Sequence, residues 1–176
     1  MKYLQIVLIV SVIALAMVSC NTSPKDKQLK AISNLEEELY SQQSLDKEKG
    51  LHMIDTYVNF SKQYSEDTTS AVFLFKAAEI AMNLQLGSQS IFYYDKILSN
   101  YPDFFKNAEC LFLKAFIYEN QLGNLEEAEK YYSQFIVEYP NHILAKDAKA
   151  SIKFLGKSPE ELVDMFQEMN DQNGEK

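Results

Sequence analysis

From about residue 27 onward, apolar side chains recur every three or four positions, in blocks separated by short polar breaks. No block alternates with the period of two that a half-buried strand needs. The pattern predicts eight helices, near 27–42, 44–64, 68–86, 88–100, 104–121, 124–138, 142–155 and 158–170. Two kinds of break punctuate them. One follows a tyrosine: Tyr64-Ser65-Glu66-Asp67, Tyr101-Pro102-Asp103 and Tyr139-Pro140-Asn141. Proline cannot continue a helix, and an Asp or Asn after it is expected to cap the next one. The other is a Leu-Gly pair, at Leu86-Gly87, Leu122-Gly123 and Leu155-Gly156. There glycine is expected to take the left-handed conformation that ends helices. Ser88, Asn124 and Ser158 follow as caps, and Ser158-Pro159-Glu160-Glu161 spells a complete capping box.

The blocks repeat. Tyr57, Phe60 and Tyr64 return as Tyr94, Ile97 and Tyr101, 37 residues on, and as Tyr132, Phe135 and Tyr139, a further 38 on. The i, i+3, i+7 spacing puts each triplet on one helix face. One helix pair cannot bury such a face alone, whereas stacked pairs share a continuous core. The period and the paired helices resemble the tetratricopeptide repeat, whose unit is about 34 residues. Counted back from Pro140, Ala128 falls on the small position of the second helix and Tyr132 on its aromatic position. Ala115 and Tyr118 reach the matching positions of the first helix with one extra residue in the turn. Ser90 and Tyr94 fit from Pro102, and the first unit is degenerate, with Met53 at the small site and Ser65 in place of proline. The resemblance implies an all-α fold, a short right-handed solenoid of three to four stacked antiparallel pairs over 28–170, with 171–176 as a disordered tail.

The chain opens differently. Met1-Lys2-Tyr3 precedes fifteen residues, Leu4 to Val18, that are apolar except for Gln5 and Ser11. This is the form of a secretory signal. Its end, Met17-Val18-Ser19-Cys20, resembles the lipobox of bacterial lipoproteins. That resemblance implies cleavage after residue 19, acylation of Cys20 (palmitate among the chains) and attachment to a membrane. Asn21, where an Asp would favour inner-membrane retention, points to the outer membrane, facing the periplasm. Residues 20–27 then form the lipidated Cys and a polar tether. Two or more acyl chains hold a protein at a membrane where one does not. Cys110 is left as the single other thiol, within the apolar run Cys110-Leu111-Phe112-Leu113, and is expected to be structural.

Composition narrows the function. All 17 basic residues are Lys, 25 residues are acidic, and the net charge is −8. A nucleic-acid binder wants a clustered basic surface and favours Arg, so no nucleic acid is expected as partner. His52 and His142 lie in different units without metal-ligand spacing, and the five glycines form no phosphate-binding loop. Acidic runs such as Glu36-Glu37-Glu38 read as solvated helix faces. The expectation is therefore no enzyme, no metal and no cofactor. What remains is a surface. In tetratricopeptide arrays the first helix of each pair lines the groove that binds a partner. Lys76, Glu79 and Asn83 form a polar stripe on one such helix, and Lys114 and Gln121 stand 38 residues beyond Lys76 and Asn83. Lys149 and Lys153, with Lys146, extend it and hint at an anionic partner segment. These residues are the candidate groove of a membrane-anchored docking scaffold in the cell envelope, with envelope or outer-membrane protein assembly as one setting. A lipoprotein that binds a peptide or glycan is the alternative.

Overall fold

The computed structural model describes residues 23–41 and 44–174. The expected signal segment, residues 1–19, and Cys20 lie outside the described residues. Among the described residues there are eight helices: α1 (Pro24–Tyr40), α2 (Lys47–Gln63), α3 (Thr68–Asn83), α4 (Gly87–Asn100), α5 (Asn107–Asn120), α6 (Leu125–Glu138), α7 (Ala145–Phe154) and α8 (Pro159–Gly174). Among the described residues there is no strand. The chain divides into two compact units, Met1–Glu38 and Leu39–Lys176. In the first, α1 begins at a proline where a tether was expected. Ser23 Oγ accepts from the Asp26 amide at 3.0 Å while Asp26 accepts back from the Ser23 amide at 3.2 Å. The second unit is a stack in which α2 to α7 each pack on the next.

The repeated triplets build that stack. Tyr57, Tyr94 and Tyr132 are all fully buried, as are Phe60, Ile97 and Phe135. Tyr64, Tyr101 and Tyr139 end α2, α4 and α6 with nearly the same backbone (φ −124°, −130° and −128°), and each cap N–H bonds the carbonyl four residues back. Aromatic contacts repeat as well. Phe75 meets Tyr94 at 5.7 Å and 63°, and Phe112 meets Tyr132 at 5.4 Å and 65°. Polar bonds reach between pairs: the Tyr101 hydroxyl donates to the Ser65 carbonyl, 36 residues away, at 2.8 Å.

Several breaks work differently from the expectation. Asn124 caps α6 through the Glu127 amide, and Ser158 with Glu161 closes a full capping box on α8. Asp103, Asn141 and Ser88 do not cap. Helices α5 and α7 start at Asn107 and Ala145, after an extra hydrogen-bonded turn in which Phe104 and His142 amides bond the Tyr101 and Tyr139 carbonyls. Helix α4 starts at Gly87 itself, with Leu86 as an unbonded cap. Gly123 (φ 62°) and Gly156 (φ 71°) take the left-handed conformation, but at the third break Gln85 (φ 60°) takes it instead. Gly87 serves close approach: a Cβ there would sit 2.9 Å from both Ile117 Cγ2 and Gln121 Oε1. Gly87→Ala is therefore expected to lower stability by about 1–2 kcal/mol despite alanine's better helix propensity, measured by urea unfolding. At the C-terminus α8 continues to Gly174, into the stretch 171–176 that was expected to be a disordered tail.

Candidate functional site

The face each first helix leaves to solvent follows from burial. On α3 the half-buried or exposed row is Val72, Lys76, Glu79 and Asn83, while Ala71, Leu74, Ala78 and Ala81 are buried. On α5 the open row is Glu109, Leu113, Phe116 and Asn120, while Ala108, Leu111 and Ala115 are buried. The two rows stand 37 residues apart, and so do the helix C-caps Leu84 and Gln121. From α4 to α6 the offset becomes 38, because the α5–α6 turn holds one more residue than the α3–α4 turn.

This register corrects two candidates. A 38-residue offset lands one position off on α5, and one position turns a side chain about 100° around a helix. Lys114 consequently faces inward toward α4. It is 4% exposed, its ammonium is ion-paired with Asp95, and it lies 3.9 Å from the centre of the Tyr131 ring. Tyr131 stacks flat on Tyr118 at 5.5 Å and 8°. Burial pushes the Tyr118 hydroxyl above its ordinary pKa, with Lys114 opposing. Gln121 is half-buried and donates to the Met82 carbonyl at 2.9 Å, tying α5 to the end of α3. Neither side chain is a free groove contact. The residues that do continue the stripe are Leu113, Phe116 and Asn120. Phe116 is 39% exposed. Aligning the buried alanines, 71 with 108 and 78 with 115, would have located them.

Lys76, Glu79 and Asn83 do share one face. Burial holds the Glu79 carboxyl above the usual carboxylate range, opposed by the nearby charges of Lys106 and Lys76. Lys76 lies 5.9 Å from the centres of the Tyr57 and Phe73 rings. Glu79 and Asn83 also border a cavity of about 300 Å³ lined by Leu39, Leu45 and Ile80. A larger cavity of about 390 Å³ lies between the start of α3 (Thr68, Val72) and the loop of Tyr101, Pro102, Phe104 and Phe105.

Lys146, Lys149 and Lys153 are exposed, but on a different face of their helix. The entry into α7 copies the entry into α5 at an offset of 38: the amides of Ala145 and Ala148 bond the carbonyls of His142 and Leu144, as those of Asn107 and Cys110 bond Phe104 and Lys106. The three lysines therefore take the places of Ala108, Leu111 and Ala115, the row that α5 buries against α6.

Cys110 is fully buried, and burial, then the Glu109 charge, pushes its thiol far above the ordinary range. In a Cys20→Ser chain this thiol is expected to resist alkylation in the native state and to react only on unfolding, as read by mass spectrometry in buffer and in denaturant. Among the described residues no group of three or more His, Cys, Asp or Glu could hold a metal, and no helix is long and apolar enough to cross a membrane.

No curated protein matches the chain. The tetratricopeptide repeat family model matches residues 109–142, which run from the first turn of α5 through α6 to the loop beyond it. Repeats of this family are typically non-catalytic scaffolds that bind other proteins. The helices, the repeated core and this match together make the fold an all-α, tetratricopeptide-like helical repeat.

Proposed function

We propose that this chain is a docking scaffold held at a membrane of a bacterial cell envelope through lipid on Cys20, and that its partner protein lies along the open faces of α3 and α5. The supporting observation is the row pair Lys76, Glu79, Asn83 and Leu113, Phe116, Asn120. It sets an exposed aromatic beside charged and amide groups on two neighbouring first helices. Aromatic anchors ringed by polar groups are where binding energy concentrates. Anchoring confines the scaffold to the surface where its partner works, so that a modest intrinsic affinity suffices at the raised local concentration.

Mild crosslinking of the tagged chain in its native host, followed by affinity purification and mass spectrometry, tests this reading. An envelope protein should be recovered reproducibly, lost with Phe116→Asp or Lys76→Glu, and Cys20→Ser should release a folded domain from membranes. Recovery no greater than with a control lipoprotein, or tight membrane retention of Cys20→Ser, would overturn it. The second reading, a solute-binding lipoprotein, draws on the 390 Å³ cavity with Tyr101, Phe104 and Phe105 in its wall, since aromatic rings suit sugar faces. It requires a ligand that raises the melting temperature.

A further inference from the structure

The α4–α5 loop and the start of α3 form the 390 Å³ cavity, and the repeat explains why it opens there. Thr68 and Val72 stand 37 residues before Phe105 and Glu109, so this junction has smaller side chains than the next one at the same places. The loop supplies the opposite wall. Phe104 meets Phe105 edge-on at 4.9 Å and 60°, and Phe105 is 74% exposed. The Tyr101 hydroxyl is already spent on the Ser65 carbonyl at 2.8 Å, which leaves the ring to the cavity. Among the described residues lining it, Asp103 alone is charged, and it is exposed. Burial first, then the Glu66 and Asp67 charges, push the Tyr101 hydroxyl above its ordinary pKa, with Ser70 opposing. The wall thus also feels carboxylates that do not line it. Lys106, in the same loop, lies instead over the Phe75 ring at 4.4 Å, where Glu79 feels its charge.

We infer that this cavity binds a small organic cation, an ammonium group carried on an apolar body. Its size and lining are those of a small-molecule site, mostly apolar with a few polar groups. Charge then selects the occupant. An anion would meet Asp103 with no ammonium in the described wall to offset it. The N-terminus of α3, which attracts anions, is already capped by Asp67, which accepts from the Thr69 amide at 2.8 Å. A neutral sugar gains nothing from the field and finds the Tyr101 hydroxyl occupied. A cation gains twice, from the carboxylate and from the rings of Tyr101, Phe104 and Phe105. The net charge of −8 adds attraction at longer range. This inference goes beyond the docking reading, and it gives the solute reading a ligand class, an amine in place of a sugar.

The probe is benzyltrimethylammonium, titrated into the full chain in a polyoxyethylene detergent and followed by backbone amide NMR shifts. Benzyl alcohol, benzoate and N-acetylglucosamine are the comparisons. The cation should shift the amides of Thr68, Val72 and Phe105, raise the melting temperature, and bind about tenfold more tightly than benzyl alcohol. Benzoate should not bind. Asp103→Asn, which copies Asn141 of the next loop, and Phe105→Ala should each weaken the cation about tenfold, and added salt should weaken it too. Asp103→Lys should lose the cation and admit benzoate, which shows that the variant keeps the cavity and that charge is the selector. Equal binding of the cation and benzyl alcohol, indifference to Asp103→Asn, or no shifts at the cavity would overturn the inference. Tighter binding of N-acetylglucosamine at the same residues would overturn it in favour of a sugar. A partner captured in cells and lost with Phe116→Asp, beside a cation that does not bind, would leave the scaffold reading standing and this inference refuted.

Discussion

Lys114→Glu is expected to destabilise the fold by about 3 kcal/mol, as the mutation leaves a carboxylate buried beside another carboxylate. Lys114 is 4% exposed, whereas its partner Asp95 is 51% exposed, so solvent screens part of the pair and the loss falls at the lower end of what breaking a fully buried pair costs. The ammonium also sits over Tyr131, itself stacked on Tyr118, and a carboxylate against that ring face is repelled. Lys114→Met keeps the stem's packing and removes the charge, and should stay within about 1 kcal/mol of the parent. Urea unfolding of the three chains, with helicity as the probe, decides the matter. Equal stability of the Glu variant would mean that the side chain swings to solvent at little cost, and would restore it as a groove residue.

Tyr132→Ala should be the costlier change still, at about 3–5 kcal/mol, the range for emptying a buried aromatic site. Its ring is fully buried between α5 and α7, in edge contact with Phe112, and its hydroxyl donates to Glu119 at 2.8 Å. Tyr132→Phe isolates that hydrogen bond and should cost about 1 kcal/mol. The control is Phe166. It stands at the eighth position of α8, as Tyr132 does in α6 and Tyr94 in α4, yet it is 48% exposed, with none of the described helices covering it as α5 and α7 cover Tyr132. Phe166→Ala should therefore cost less than about 1 kcal/mol. Equal costs at 132 and 166 would mean that stacking of pairs is not what buries the aromatic ladder.

The aromatic ladder was legible because tyrosine at a fixed spacing, followed by a stop, is a dense signal: the ends of α2, α4 and α6 and the positions of Tyr57, Tyr94 and Tyr132 followed from it. The candidate face was less legible for a specific reason. The extra residue in the α5–α6 turn makes α6 repeat α4 at 38, whereas α5 repeats α3 at 37. Carrying 38 back across that turn rotates Lys114 out of the core and Phe116 into it. Polar type then reinforced the slip, since lysine suggests solvent, whereas here its stem is packed and its charge is met by Asp95 and Tyr131. The capping residues misled in a similar way. Asp103 and Asn141 sit where a cap would serve a helix that starts at once, but an intervening turn delays both starts. The lysine row of α7 was visible as lysines. Its meaning depended on knowing which face of α5 is buried.

Burial thins along the chain's last four helices: α5 and α6 share a dense core, α7 contributes Ala145 and Ala148, and α8 contributes no buried residue among its described side chains. In a molecule built by nearest-neighbour stacking, opening need not involve every helix at once. Amide hydrogens of α8 should exchange within seconds to minutes and those of α7 next, while α4 to α6 wait for the whole stack to come apart. The array therefore has a direction in time as well as in sequence. A protease or a chaperone meeting it would begin at α8 and work back toward α5.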